Sequence, residues 1–309
     1  MSNFSGKSIA PVGSYHGMTK FGAYDMAGNV KEWVVNTYGT SRIALGGAWD
    51  EPSYVFSGPD ARDPFWRTIS LGFRCVKRLS PPPPSSLAQP IPFPANARTE
   101  PPVNDETYRV FAELHQYLPE AVDSRVEETD DSSRYWTKQK VSFKAAYANE
   151  RVVAHLFLPK NAMPPYQVVV VFGGITVMSV KRLEDFGYPY EFLVRSGRAV
   201  MIPAYWGTLE RGPSPWGLPP NAERDRLFKL YWDLARSVDY LQTRPDIDIA
   251  KVGYFGISYG AVQAPRFLAL DKRFKAAALL SGGLYPFYQP RAADAWNFAP
   301  RDRVPTLMS

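Results

Sequence analysis

Ten residues constrain this chain more than any others: Val252-Gly253-Tyr254-Phe255-Gly256-Ile257-Ser258-Tyr259-Gly260-Ala261. A short apolar strand runs into Gly-x-Ser-x-Gly and then into a helix. That order builds a tight strand-to-helix turn which holds a serine in a strained backbone conformation with its hydroxyl exposed, a nucleophile elbow. Gly256 and Gly260 flank the turn because side chains there would meet the neighbouring strand and helix. The chemistry such a turn serves is acyl transfer, with Ser258 as the attacking group.

The surrounding segment supplies the sheet that an elbow needs. Val168-Val169-Val170-Val171-Phe172 is a continuous β-branched run, as expected of a strand buried on both faces of a mostly parallel sheet. It ends in Gly173-Gly174. Residues 199–203 predict a second buried strand, and 205–211 follow at its C-terminal end, where open α/β sheets place their sites. Residues 136–147 and 150–158 alternate and predict a hairpin. Helices are expected over 105–118, 184–196, 221–243 and from the elbow through Leu270, where Pro265 threatens a kink. Residues 276–281 and 304–308 complete the strands. His115 is expected on a helix surface and His155 as an ordinary strand residue.

Composition excludes some functions. Hydrophobic residues at 45% allow a sizeable core, and no run approaches the ~20 apolar residues of a membrane span. The net charge of +6 is scattered, so it describes a mildly basic surface and not a nucleic-acid footprint. Cys75 is the only cysteine, which rules out an internal disulfide. With no apolar signal core after Met1, a cytoplasmic location is the default expectation. Nine prolines fall within 80–102, including Pro81 through Pro84, and predict a semi-rigid spacer between unlike segments. The domain expectation is therefore 1–79, a linker over 80–102, and 103–309.

The first segment is rich in Gly and Trp and poor in helix periodicity. It carries Phe21-Gly22-Ala23-Tyr24-Asp25-Met26-Ala27-Gly28-Asn29-Val30-Lys31-Glu32-Trp33-Val34, then Leu45-Gly46-Gly47-Ala48-Trp49, then Leu71-Gly72-Phe73-Arg74-Cys75-Val76. These three blocks resemble the C-terminal portion of the formylglycine-generating-enzyme (sulfatase-modifying factor) family. The resemblance implies part of an irregular α+β domain, a variant of the C-type lectin fold. The family's oxidising members use a cysteine pair shortly after the second block, and residues 50–58 contain no cysteine, so the domain is expected to be non-catalytic. The family also places a structural calcium on the first block. Matched residue by residue, its ligands would be the side chains of Asp25 and Glu32 and the carbonyls of Gly28 and Val30. The residues alone allow a second reading, in which Asp25 and Glu32 cap amides in a tight loop.

Strand and helix alternating around Gly-x-Ser-x-Gly is the α/β-hydrolase order. Residues 103–309 resemble the dienelactone-hydrolase and prolyl-oligopeptidase-like branch, also in the run Ala235-Arg236-Ser237-Val238-Asp239-Tyr240-Leu241, then Arg244-Pro245-Asp246-Ile247-Asp248, then the elbow. The oxyanion donors are expected at the backbone N–H groups of Tyr259 and Gly174. Tyr205, Trp206 and Arg211 either line a pocket or pack their loop. In this fold the acid and then the histidine follow the serine. His16, His115 and His155 all precede it, and Asp294 and Asp302 fall before the last strand. The whole chain is thus expected to be cut at both ends, the hydrolase segment at its C-terminal end, and to have little esterase activity on its own, with no cofactor needed for hydrolysis and a small acyl compound as substrate. The competing expectation is a non-catalytic binding or scaffold module with a lectin-like recognition domain. Resemblance of the joined pair of domains extends to large bacterial signalling proteins with an upstream Ser/Thr kinase.

Overall fold

The computed structural model describes residues 2–4, 6–51, 53–77, 79, 100–118, 120–186, 190–213, 217–284 and 289–308. Most of the proline-rich spacer, 80–99, lies outside them. The chain divides into two compact units, Met1–Ala97 and Arg98–Ser309.

The first unit holds a four-stranded sheet in the order β3-β2-β1-β4, made of β1 (Lys31–Tyr38), β2 (Ser41–Leu45), β3 (Asp60–Arg62) and β4 (Leu71–Gly72). Loops carry the rest, as the absence of helix periodicity predicts. Asn29 ties these loops together. Its side chain accepts from Ala10 N–H at 2.9 Å and donates to the Ala10 carbonyl at 3.1 Å, while its own amide donates to the Asn3 carbonyl at 2.8 Å. Buried Lys31 bridges Glu51 (2.5 Å) and Asp60 (2.6 Å), joining β1 to the segment around β3.

In the second unit, α1 (Asp105–Leu114) is followed by β5 (Arg125–Asp130), β6 (Trp136–Lys144), β7 (Arg151–Pro159) and β8 (Tyr166–Phe172). Two short helices, α2 (Leu183–Phe186) and α3 (Glu191–Arg195), stand where one helix over 184–196 was expected. Then come β9 (Ala199–Ala204), α4 (Pro220–Gln242), β10 (Ile247–Ile257), α5 (Tyr259–Leu270), β11 (Phe274–Leu280), α6 (Ala295–Phe298) and β12 (Thr306–Met308). The eight strands form one mixed sheet, β12-β11-β10-β8-β9-β7-β6-β5. From β12 to β9 neighbours run parallel. β7 is antiparallel to β9, and the hairpin to β6 and then β5 extends that edge.

The parallel strands β8, β9 and β10 are covered on both faces, so their apolar residues do not alternate; every residue of β9 is buried. α4 begins with Pro220 at its first position, where the missing N–H costs nothing, and ends before Pro245. It is buried over most of its circumference, including Asp233 at 0% and Arg236 at 2% exposure. α5 continues through Pro265. Among the described residues no helix is long and apolar enough to cross a membrane.

One expectation fails clearly. His115 is not on a surface. It caps α1 with no exposed area, its ring 4.3 Å from that of Phe228 and 5.3 Å from that of Phe298. The helical period placed it correctly on α1 but could not show that the end of α1 docks on α4 and α6.

Candidate active site

The elbow forms as the motif requires. Ser258 has φ 49° and ψ −107°, on the positive-φ side of backbone space that L residues rarely adopt, between the end of β10 and the first turn of α5. The strained turn is held from three sides. Ser258 N–H donates to the Leu280 carbonyl at 2.8 Å, Gly260 N–H to the Gly173 carbonyl at 3.2 Å, and the Tyr254 hydroxyl to the Gly260 carbonyl at 2.7 Å. Two glycines are dictated by space. A Cβ on Gly260 would lie 2.0 Å from the Phe172 carbonyl oxygen, and one on Gly256 would lie 2.9 Å from the backbone of Gly260. Helix and strand pack backbone to backbone here, which fixes where the serine points.

Gly174 follows β8, the strand beside β10. A methyl group on it would stand 3.5 Å from Ser258 Cβ, so its Cα lies close beside the serine. Tyr259 opens α5, where a helix leaves its first amides without intrahelical partners. The three residues expected at the reacting centre are thus gathered by the parallel register of β8 and β10.

A third close contact was not anticipated. Gly282, two residues beyond β11, lies where a Cβ would be 2.6 Å from both the Ser258 carbonyl oxygen and Ala261 Cβ. Ser281 before it has φ 53°. The Ser281-Gly282-Gly283 string directly after a buried strand was the available signal.

Tyr205 and Arg211 pack the loop after β9. Tyr205 is buried with its ring stacked on Phe172, centroids 3.9 Å apart. Arg211 donates through Nη1 to Asp233 (2.6 Å) and the Ala204 carbonyl (3.0 Å), and through Nη2 to the Tyr147 hydroxyl (2.6 Å) and Glu150 (3.0 Å). Asp233 also accepts from Trp206 N–H at 2.7 Å and from the Tyr147 hydroxyl at 2.9 Å. Burial pushes the Asp233 carboxyl up against the pull of Arg211 and these donors. Trp206 is half-buried, and its ring faces the Lys229 ammonium at 4.7 Å.

The two histidines of this unit are engaged elsewhere. His115 Nδ1 donates to the Phe111 carbonyl (2.8 Å), and burial, with Arg266 nearby, holds the imidazole down to about 3. His155 on β7 pairs through Nε2 with Glu210 (2.8 Å). Burial raises the Glu210 carboxyl, but the bond to His155 and the charge of Lys140 outweigh it and hold it below the usual range. Asp294 caps α6 by accepting from Trp296 N–H (3.1 Å), and Asp302 accepts from Val304 N–H (2.9 Å).

In the first unit a guanidinium joins the Glu32 carboxylate to the backbone of Asp25. Arg74 donates through Nε and Nη2 to the two Glu32 oxygens at 2.6 Å each, and to the carbonyls of Tyr24 (3.2 Å) and Asp25 (3.3 Å). Asp25 Oδ2 accepts from Gly13 N–H (3.1 Å), and Gly28 N–H donates to the Gly46 carbonyl (2.7 Å). Calcium takes 6–8 oxygens. A loop whose Glu32 carboxylate is already matched by Arg74 does not fit that ion as arranged, and among the described residues no three His, Cys, Asp or Glu side chains gather into a metal-binding group.

These features define the second unit as an α/β-hydrolase fold with a serine elbow. The solved acetyl xylan esterase 1 from Thermoanaerobacterium sp. shares the fold at a TM-score of 0.54, with 14% identity over 68% of this chain and 79% of that one. An acetyl xylan esterase from Paenibacillus sp. R4 aligns at 19% identity, 66% and 76% coverage and TM-score 0.48. A glucuronoyl esterase from Solibacter usitatus aligns at 16%, 58% and 59% coverage and TM-score 0.43. Residues 2–79 match the family described as sulfatase-modifying factor enzyme 1-like domain, so the first unit carries that resemblance and the second that of the α/β-hydrolases. No curated protein matches this chain in sequence.

Proposed function

We propose that the second unit is a serine ester hydrolase in which Ser258 is the nucleophile and the amides of Tyr259 and Gly174 hold the oxyanion. The observation that carries this reading is the Ser258 backbone, at φ 49° between a buried parallel strand and a helix, with Gly174 close beside it. In the reaction Ser258 Oγ attacks the acyl carbon, and the carbonyl oxygen gains the charge that the two N–H groups meet. The alcohol leaves with a proton, and water then releases the acyl group. A general base must take the Ser258 proton. His115 and His155 are committed to other partners, so neither serves, and hydrolysis by these 309 residues alone is slow.

Imidazole added to the solution can supply that base. Turnover of p-nitrophenyl acetate by the chain, after subtraction of the imidazole-only rate, is expected to rise with imidazole and to exceed that of Ser258→Ala by about tenfold or more, since loss of the nucleophile removes the covalent route. Equal rates for the two proteins at every imidazole concentration would end this reading.

A further inference from the structure

Lys229 lies on α4 between two rings, its ammonium 4.7 Å from the Trp206 centroid and 5.1 Å from that of Tyr147. It is half-buried, yet among the described residues no carboxylate or carbonyl accepts from it. Five other lysines of this unit, Lys138, Lys140, Lys144, Lys160 and Lys251, each meet a carboxylate, and Lys272 and Lys275 donate to backbone carbonyls. A partly desolvated ammonium facing only π surfaces keeps its three donors for something else.

The place is a prepared one. Asp233, one turn further along α4, holds Trp206 N–H, Tyr147 and Arg211 together, so the aromatic walls are fixed by buried hydrogen bonds. Arg226, one turn before Lys229, is 8% exposed and lies 5.8 Å from the Tyr259 ring. Its Nε and Nη2 are taken by Glu223, and Nη1, on the far side of the guanidinium, has no partner in hydrogen-bonding geometry. One ridge of α4 therefore runs from the elbow to the end of β9. β9 and β10 are separated by β8 alone, two strand spacings or about 10 Å.

We propose that Lys229, between Trp206 and Tyr147, is a specificity subsite for a carboxylate on the substrate, so that the preferred esters carry an acid group remote from the scissile bond. This rests on the hydrolase reading for its meaning, and its test does not depend on catalysis. The probe is glutarate, with glutaramide as the neutral isostere, titrated into the 309-residue chain while tryptophan emission is followed. Trp206→Phe identifies the responding ring. Glutarate is expected to give a saturable change that glutaramide lacks. Lys229→Met should weaken it by about tenfold or more, the scale of one charge-assisted contact, and Lys229→Arg should retain most of it. The thermal midpoint of Lys229→Met should match that of the parent, separating lost recognition from lost folding. Absence of saturable glutarate binding, equal binding of glutaramide, or unchanged binding by Lys229→Met would overturn the proposal. Ser258 that fails to react while glutarate binds through Lys229 would remove the hydrolase reading and leave the anion site.

Discussion

Gly260→Ala is expected to destabilise the second unit by about 4 kcal/mol or more, at the upper end of what single substitutions do. The added methyl would stand 2.0 Å from the Phe172 carbonyl oxygen, 2.7 Å from its carbon and 2.9 Å from its Cβ. None of these atoms is the free end of a flexible side chain. Phe172 ends β8, a strand hydrogen-bonded on both sides, and its ring is stacked on Tyr205. The helix must therefore lift, breaking the Gly260-to-Gly173 hydrogen bond and releasing the strained Ser258 turn. Gly253→Ala is the control. Its methyl would find its nearest neighbours at 3.7 Å, ordinary contact, so a cost within about 1 kcal/mol is expected. Urea unfolding of the two variants makes the comparison. Equal losses would mean that the elbow is not packed backbone to backbone.

Acid should unfold the same unit through His115. The imidazole is enclosed by Phe228, Tyr231 and Phe298, and protonation would put a second charge near buried Arg266, itself brought down to about 10 mainly by burial. The folded value of about 3 lies below the ordinary 6.5. Between these values the unfolded chain binds a proton that the folded chain refuses. Stability from this group is thus complete above about pH 6.5 and falls by about 1.4 kcal/mol per unit as pH drops toward 3. His115→Asn removes the titrating group. Its unfolding free energy, measured at pH 7, 6, 5 and 4, should be lower than the parent's at neutral pH and fall less steeply with acid, by about one proton. Parallel curves would show that His115 is not shielded from protonation.

What the sequence revealed and what it hid divide along a physical line. The elbow was legible because its requirements are local: a buried strand, two glycines at fixed offsets and a helix within ten residues of one another. The β8 and β9 strands were legible for the same reason, since a strand covered on both faces has to be continuously apolar. The loop-packing reading of Arg211 was available in the sequence, but its partner Asp233 and the burial of Arg236 were not legible. Their charges suggest a solvated helix face or a loop, and only the return of the chain from β6 and β7 supplies Tyr147, Glu150 and the Lys144 carbonyl that bury them. β5 was missed because every one of its residues is exposed, leaving no apolar alternation to detect. Gly282 belongs to the elbow through contacts more than twenty residues from Ser258. In the first unit nothing local to Asp25 and Glu32 announced Arg74, more than forty residues away, which occupies the Glu32 carboxylate and the Asp25 carbonyl.

Mass-spectrometric mapping of a fluorophosphonate adduct on the 309-residue chain, with imidazole present, tests the role of Ser258 most directly. One dominant adduct is expected, on the peptide carrying Ser258, formed faster as imidazole is raised and absent in Ser258→Ala. An unmodified Ser258, or a dominant adduct on another residue that survives in Ser258→Ala, would contradict it.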